Sequence, residues 1–162
     1  MANQELKISF QSFEKIEDVE SKLAHLLHVA RNAVHEAYNP YSNFCVGCAV
    51  QLDNGQIITG FNIENASYSV CICAERTALS SAITQYPDAK ILSIAISTYQ
   101  QFQDNDTPAF PCGVCRQFIS ECEDRNENKF PIIVSGQSGP IHIFESIKDL
   151  LPFSFGKNDL IK

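Results

Sequence analysis

Helical and extended segments alternate along the chain, as its apolar positions indicate. Helices are predicted where apolar residues recur every three or four positions or follow helix-start signals, in residues 21–38, 73–85, 112–123 and 147–151. Strands are predicted where runs are rich in Val, Ile and other apolar residues, in residues 44–52, 56–63, 90–97, 132–135 and 141–144. A strand–helix–strand succession implies a right-handed crossover with some parallel pairing. The pattern therefore predicts an α/β fold with a mixed sheet.

Local signals refine the ends of these elements. Ser21 is a suitable N-cap for the first helix, and Pro40 ends that segment because the residue before a proline avoids the helical region. The Asn-Gly pair at residues 54–55 predicts a two-residue turn and an antiparallel hairpin. Apolar residues alternate over residues 6–10, which indicates an added edge strand, and an acidic run at 14–20 indicates a solvated linker.

Composition and charge narrow the classes of partner. The chain has 162 residues, 44% hydrophobic and 19% charged, which is typical of one globular domain. A net charge of −7 argues against a nucleic-acid partner, since such surfaces usually carry a basic excess, and favours a small-molecule substrate. No stretch is long and apolar enough to span a bilayer, and residues 1–7 lack a signal-peptide core. We therefore expect a cytoplasmic protein without a membrane partner.

Three of the seven cysteines are placed to share a metal ion. Cys73 and Cys112 lie at predicted helix N-termini, and Cys115 follows Cys112 one turn later on the same face. In a reducing compartment, clustered cysteines more often bind metal or do redox work than form disulfides. Three thiolates leave one corner of a tetrahedral zinc open for water, and the nearby Glu75 is suited to move that water's protons.

Other interpretations of the cysteines remain open at this point. Cys71 as a fourth ligand would give a closed, purely structural zinc site. Cys112 and Cys115 also have the spacing of a thioredoxin-like redox pair, and all three cysteines would also serve as core fillers. Catalytic zinc is favoured because the other interpretations leave the neighbouring glutamate without a task. Cys45 and Cys48 share that spacing, but in a strand they point to opposite faces, so we interpret them as apolar fillers.

Four polar residues near the cysteines have candidate roles. Arg76 and Arg116 are placed to donate hydrogen bonds to sulfur and to offset the charge of three thiolates on a dication. Asn62 and Glu64 lie two apart, hence on one side of an extended chain, where an amide and a carboxylate can grip vicinal hydroxyls. On spacing alone, turn chemistry, in which Asn side chains bond their own backbone, is the favoured interpretation of the second pair.

Several distinctive segments follow one another in the chain, at residues 37–47, 62–68, 73–78, 111–117, 145 and 150–155. Taken in order, they closely resemble the small homotetrameric cytidine deaminases. The most specific are Cys-Ala-Glu-Arg-Thr-Ala at 73–78 and Pro-Cys-Gly-Val-Cys-Arg-Gln at 111–117. The resemblance covers roughly residues 22–160. Phe110 departs from it, since serine often precedes Pro-Cys in that family, and residues 1–21 extend beyond the family's usual start.

The resemblance implies the roles of the metal-site residues. Cys73, Cys112 and Cys115 would bind one zinc ion per subunit. Glu75 would take a proton from water, deliver it to the ring nitrogen beside the amine-bearing carbon, and later protonate the leaving amine. Arg76 would compensate the charge of the thiolates. Cys71 would then be a bystander.

The resemblance also implies the substrate contacts. These are Phe44, Asn62, Glu64, Ala74, Tyr68 and Phe155. The asparagine and the glutamate would hold the ribose 3′-hydroxyl, and the two phenylalanines would line the base pocket. Phe155 would reach into a neighbouring subunit, and Tyr68 would make an inter-subunit contact. We therefore expect a homotetramer whose active sites are shared between subunits.

Pattern and resemblance together give one set of expectations. The fold is expected to be a three-layer α/β/α sandwich with a mixed sheet of about five strands. Residues 1–21 form an N-terminal extension, and residues 22–162 form a single catalytic domain. The activity is expected to be zinc-dependent deamination of cytidine and 2′-deoxycytidine in pyrimidine salvage. The alternatives are a deaminase of another base or nucleoside analogue, a nucleic-acid-editing deaminase, and a non-catalytic zinc-binding protein.

Overall fold

The structure, a computed structural model, describes residues 2–160. Its strands are β1 (Gln11–Phe13), β2 (Phe44–Leu52), β3 (Ile57–Phe61), β4 (Ile91–Gln100), β5 (Ile132–Gly136) and β6 (Ile141–Phe144). Its helices are α1 (Ser21–Ala33), α2 (Ala74–Gln85), α3 (Gly113–Asn126) and α4 (Lys157–Leu160). Within residues 2–160, no helix is both long and apolar enough to cross a membrane.

One mixed sheet organises the molecule. The strands lie in the order β1-β6-β5-β4-β2-β3. β4 and β5 pair in parallel, with Ile94 opposite Ile132, and the other neighbours pair antiparallel. The parallel pair is joined through α3, which is the crossover that the strand–helix–strand pattern predicts. The predicted α/β class and mixed sheet are confirmed.

Helices cover both faces of the sheet. Successive strand residues point to opposite sides, so each face presents its own apolar side chains to a helix. On β2, Ala49 packs with Leu26 and Leu27 of α1, whereas Val50 packs with Leu79 of α2 on the other face. The α2 side also contains α3, and it is the larger of the two apolar cores. The layers are therefore α1, sheet, and α2 with α3, as expected for a three-layer sandwich.

The described sheet has six strands, where about five were expected. The additional strand is β1, which pairs antiparallel with β6, with Gln11 opposite Ile143. The alternating residues 6–10 were expected to form this edge strand, but they have no regular structure, and the strand begins at Gln11. The residues that pair with Ile141–Ile143 of β6 are Gln11–Phe13. Val19 is then buried against the α1 core.

The hairpin between β2 and β3 is present, but its turn differs from the prediction. Gln51 lies opposite Ile57, and the Leu52 amide donates to the Gln56 carbonyl at 2.9 Å, which leaves three loop residues. Gly55 has φ +86°, the left-handed conformation typical of three-residue hairpin loops. The Asn-Gly signal thus located the hairpin correctly but gave a loop one residue too short.

Two predicted helices end differently in the structure. The first α-helix stops at Ala33 and is followed by a 3-10 turn, Val34–Glu36. Its N-cap is Glu20 instead of Ser21, and no side chain caps it. The short helix predicted near residue 147 is a single 3-10 turn, Ile147–Asp149.

Candidate active site

The N-termini of α2 and α3 bring the three predicted metal-binding cysteines together. Cys73 is the N-cap of α2 and Cys112 is the N-cap of α3, both with extended backbone angles. Neither side chain caps its own helix, and the two sulfurs lie close to each other. Cys115 lies in the first turn of α3 and is buried. Two helix dipoles therefore direct their positive ends toward one group of sulfurs.

The sulfur separations fit a zinc ion. The three Sγ atoms lie within 4.8 Å of one another, and those of Cys73 and Cys112 are 3.9 Å apart. Zinc bound at about 2.3 Å to each sulfur in tetrahedral geometry would separate the sulfurs by about 3.8 Å. Cys71 is outside this group and instead accepts a hydrogen bond from the Asn65 amide at 3.2 Å. The donor set is therefore three thiols with one tetrahedral position left over.

One thiolate is already favoured at this cluster. A hydrogen bond from Cys115, together with Arg76 and Cys112, lowers the pKa of Cys73 to about 5, although burial opposes the shift. The pKa of Cys115 is raised, first because it donates that hydrogen bond and second because it is buried. The two shifts are opposite because Cys115 donates the hydrogen bond that Cys73 accepts. Metal binding would displace thiol protons here, because the thiolate is the form that binds a metal.

Arg76 supplies positive charge to the sulfurs, and Arg116 does not. The Arg76 guanidinium donates to the Cys71 carbonyl at 3.0 Å and lies 3.9 Å from the Cys73 sulfur. Arg116 donates to the carbonyls of Pro111 and Leu150, each at 2.8 Å. The prediction that both arginines serve the sulfurs was wrong for Arg116, because its guanidinium is engaged by the backbone before its own helix and by the distant Leu150 carbonyl.

Glu75 is buried beside the cysteines and Arg76. Its side chain is on the first turn of α2, and the residue is only 3% exposed. Burial, followed by the negative charge of Cys73, raises the pKa of Glu75. A raised pKa makes a carboxyl group hold a proton more readily than an ordinary glutamate does, which suits a group that both takes up and delivers protons.

A cavity of about 270 Å³ opens in front of these residues. Among the predicted site residues it is lined by Phe44, Asn62, Glu64, Cys73, Glu75 and Cys112. Other lining residues were not predicted, and they include Val46, Ile63, Cys71, Ile72, Ile96, Thr98 and Ala109. Most of these are apolar strand or loop residues, whose sequence pattern is that of ordinary core positions. The signals on offer were the adjacency of Ile63 to the Asn62–Glu64 pair and the position of Cys71 two residues before Cys73.

Glu64 is held ready at the rim of the cavity. It accepts hydrogen bonds from the Ser42 hydroxyl and from the amides of Tyr41 at 2.9 Å and Ser42 at 3.2 Å. The Ser42 hydroxyl bond, helped by these amides, lowers the pKa of Glu64. The carboxylate is therefore ionised at neutral pH and available as an acceptor for a ligand hydroxyl.

Asn62 connects the start of β2 to the segment that carries Glu64. Its Oδ1 accepts from the Val46 amide at 2.8 Å, and its Nδ2 donates to the Phe44 carbonyl at 2.9 Å. Both bonds reach the neighbouring strand β2. They are therefore not the local turn contacts that the sequence suggested as an alternative. One Nδ2 hydrogen and one Oδ1 lone pair remain for a ligand.

Three predicted substrate contacts lie outside this cavity. Tyr68 is 73% exposed and packs edge-on against Tyr41 at a ring separation of 6.0 Å. Phe155 is 58% exposed, and its carbonyl accepts from Gln117 at 2.7 Å. Ala74 is fully buried between Cys73 and Glu75. Cys45 and Cys48, which were expected to be apolar fillers, do not lie together. Cys48 is buried in the core, whereas the Cys45 sulfur accepts a hydrogen bond from the Asn39 side chain.

Comparisons with known proteins agree with this geometry. Residues 20–127 match the family model of the cytidine and deoxycytidylate deaminase zinc-binding region. The chain is 37% identical to the cytidine deaminase of Sporosarcina psychrophila over 81% of its own length and 89% of that protein's. It is 36% identical to the probable cytidine deaminase of Dictyostelium discoideum over 82% of each.

Solved structures are similar as well. The cytidine deaminase of Burkholderia pseudomallei superposes with a TM-score of 0.69 at 36% identity, covering 81% of this chain and 97% of that one. The Mycobacterium tuberculosis enzyme superposes with a TM-score of 0.64 at 29% identity, covering 85% and 99%. The chain is a zinc-dependent hydrolytic enzyme that belongs to the cytidine and deoxycytidylate deaminase family.

Proposed function

We propose that the protein converts cytidine and 2′-deoxycytidine to uridine and 2′-deoxyuridine with release of ammonia. The observation that supports this most strongly is one cavity whose wall includes two sulfurs of the three-cysteine cluster, a buried carboxyl group with a raised pKa, and an ionised carboxylate at the rim. The family match and the names of the relatives point to the same reaction.

Cys73, Cys112 and Cys115 hold the zinc ion in this proposal. Their thiolates are soft ligands, and three of them leave an open coordination position, as catalytic zinc sites require. When bound, zinc supplies Lewis acidity, which makes hydroxide available near neutral pH. Arg76 and the two helix N-termini offset the negative charge of the thiolates.

Glu75 moves the protons. It takes one proton from the attacking water and delivers it to the ring nitrogen N3, while the water oxygen forms a bond to C4. It then carries the second proton to the amine, the C4–N bond breaks, and ammonia leaves. Its buried position supports this role, because a carboxyl group whose pKa is raised transfers protons readily in both directions.

Glu64 and Asn62 hold the sugar. The Glu64 carboxylate accepts a hydrogen bond from the ribose 3′-hydroxyl, and the free hydrogen of Asn62 Nδ2 donates to the same oxygen. Recognition at the 3′ position leaves the 2′ position outside the contact, so ribose and deoxyribose nucleosides are both accepted. Phe44 lies on the cavity wall and packs on the base.

The proposed assembly is a homotetramer with shared active sites. Phe155 and Tyr68 are large, exposed apolar residues that do not line their own cavity, which suits a role across a subunit boundary. Phe155 of one subunit then closes the base pocket of another. A cytoplasmic location and a role in pyrimidine salvage follow from a free nucleoside substrate and from thiols that must stay reduced.

One assay tests the proposed reaction. The purified protein is mixed with cytidine, the loss of cytidine absorbance and the release of ammonia are followed, and bound zinc is measured on the same sample. We expect turnover with one zinc per subunit. Glu75→Gln keeps the shape of the side chain but cannot carry a proton, so it should retain zinc and lose about 10²- to 10⁴-fold in kcat. Near-normal turnover by Glu75→Gln, or no turnover by the zinc-loaded native protein, would refute the proposal.

A further inference from the structure

Four aromatic rings connect the N-terminal segment to the wall of the cavity. Phe110 lines the cavity, and its ring stacks on His142 with centroids 6.2 Å apart and meets Phe144 edge-on at 6.0 Å. Phe10 contacts the same two rings, edge-on to His142 at 5.0 Å and stacked on Phe144 at 5.2 Å. All four separations lie in the range at which aromatic rings attract one another.

The two shared rings lie on the face of the sheet that carries the active site. His142 and Phe144 are two apart on β6, so both point to one side, and Phe144 belongs to the core formed with α2 and α3. Phe10 directly precedes β1, whose Gln11 pairs with Ile143 of β6. The pairing of β1 therefore places Phe10 beside Phe144, and the sheet edge fixes its position.

Phe110 depends on these rings for its own position. It lies in the irregular stretch between β4 and α3, two residues before Cys112, and it is 45% exposed. No helix or strand ladder fixes the residue there, so its ring is oriented by the side chains against which it packs. Phe10 covers those same side chains and limits how far they can turn.

We propose that Phe10 is a positioning residue for the substrate cavity, which acts through His142 and Phe144 on the ring of Phe110. The N-terminal segment then takes part in substrate binding without touching the substrate. This inference rests on the proposed function, because its consequence is a change in nucleoside affinity. Loss of the Phe10 ring lets Phe110 move, and the cavity no longer presents one fixed wall to the nucleoside.

The test compares Phe10→Ala with Ile8→Ala. Ile8 is an apolar residue of similar exposure on the same segment, which makes it a matched control. Two lost aromatic contacts should raise KM for cytidine roughly 3- to 10-fold while kcat changes less than about 2-fold. The dissociation constant of uridine, measured by calorimetry, should rise by the same factor. Ile8→Ala should leave both values unchanged.

A double-mutant cycle with Phe110→Ala separates positioning from general destabilisation. If Phe10 acts through Phe110, adding Phe10→Ala to Phe110→Ala should raise KM no further. Phe10→Tyr keeps the ring and should restore the native KM, whereas Phe10→Leu keeps apolar volume only and should not. Should Phe10→Ala fail to fold, the cycle is run with Phe10→Leu.

Two results would overturn the inference. One is a native KM and uridine affinity in Phe10→Leu and Phe10→Ala. The other is an equal rise in KM when Phe10 is changed in the native and the Phe110→Ala backgrounds. Both leave the proposed function intact, since that function is tested by turnover of the native protein. A native protein that neither binds uridine nor consumes cytidine would refute the proposed function itself.

Discussion

Glu64 shows how single residues tune the rim of the cavity. Its side chain is partly buried, and hydrogen bonds from Ser42 and from the Tyr41 amide lower its pKa. A lowered pKa means that Glu64 stays ionised as the pH falls below the ordinary range for glutamate. Sugar binding through this carboxylate should therefore persist into mildly acidic solution and weaken only below that range.

Removing the Ser42 hydroxyl should shift this pH dependence upward. In Ser42→Ala the largest cause of the lowered pKa is gone, so the pKa of Glu64 should rise toward its ordinary value of about 4.3. The KM for cytidine should then start to increase at a higher pH than in the native protein. Carboxyl NMR and KM measured between pH ~4 and ~7 check both statements. Ser80→Ala, at an exposed serine of α2, is the control, and an unshifted Glu64 titration in Ser42→Ala would contradict the prediction.

Two arginines one turn into neighbouring helices make a second comparison. Arg76 reaches the Cys73 sulfur, whereas Arg116 bonds only backbone carbonyls. Substitution of residues that orient metal ligands typically costs 10- to 100-fold in metal affinity. We therefore expect Arg76→Gln to weaken zinc binding by roughly 10- to 100-fold, measured by competition with a chelator.

Arg116→Gln is the matched control for charge and size. It should lower the melting temperature, because the carbonyls of Pro111 and Leu150 lose their donor, but zinc affinity should stay near the native value. Equal losses of zinc affinity in both variants would show that Arg76 acts only through the fold. The sequence suggested the same role for both residues, since both follow a cysteine at a helix start. In the structure the two arginine side chains point to different partners, because the surroundings of the two helices differ, and this separates their roles.

At the scale of elements, a glycine sets the position of the helix that carries Glu75. A Cβ atom at Gly60 of β3 would lie 2.4 Å from the Ala78 nitrogen and 2.7 Å from the Ala74 carbonyl oxygen. These are backbone atoms of α2, so neither can move without moving the helix. The close approach of strand and helix fixes the height of Cys73 and Glu75 above the sheet.

Gly60→Ala should therefore damage stability and the site together. Forcing α2 away from β3 should cost about 1–3 kcal/mol in the free energy of unfolding, and it should reduce kcat because Glu75 moves with the helix. Urea denaturation and the cytidine assay measure the two effects. Gly113→Ala is the control for stability, since a Cβ there meets no atom within 4 Å, and it should change unfolding by less than about 1 kcal/mol. A Gly60→Ala protein as stable as the native one would contradict the packing argument.

Elements with local signals were predictable, and elements that depend on a partner were not. The starts of α2 and α3 were predicted correctly because Cys73 and Cys112 precede clear helical segments. The hairpin was located by its Asn-Gly pair, but loop length depends on the pairing of Gln51 with Ile57. Strand β1 was displaced in the prediction because the free edge of β6 selects which residues pair with it.

At the scale of the whole molecule, the chemistry of the site was more predictable than its shape. The cysteines and Glu75 stand in short motifs, so three-sulfur binding beside a carboxyl group could be inferred without a structure. The cavity wall is different, because Thr98 and Ala109 are brought to it only by the folding of distant segments. Phe110 was noted as a departure from the family, and its connection to Phe10 through His142 and Phe144 left no local pattern in the sequence.

The exposed position of Phe155 leads to a prediction about the assembly. In the described structure this residue is 58% exposed and does not line the cavity of its own chain. If the residue completes the base pocket of a neighbouring subunit, then Glu75→Gln and Phe155→Ala damage the same active site from two different chains. Each variant alone should be strongly impaired, the first in kcat and the second in KM.

Mixing the two variants should restore activity. After the subunits are dissociated and reassembled in equal amounts, about one quarter of the sites should contain an intact Glu75 from one chain and an intact Phe155 from another. Those sites should turn over cytidine with the native KM, and light scattering should show a tetramer. Mixing Glu75→Gln with Cys73→Ala is the control, because both changes lie in the same cavity and no hybrid site is complete. Native activity in a monomer, or no recovery in the first mixture, would show that each chain builds its own site.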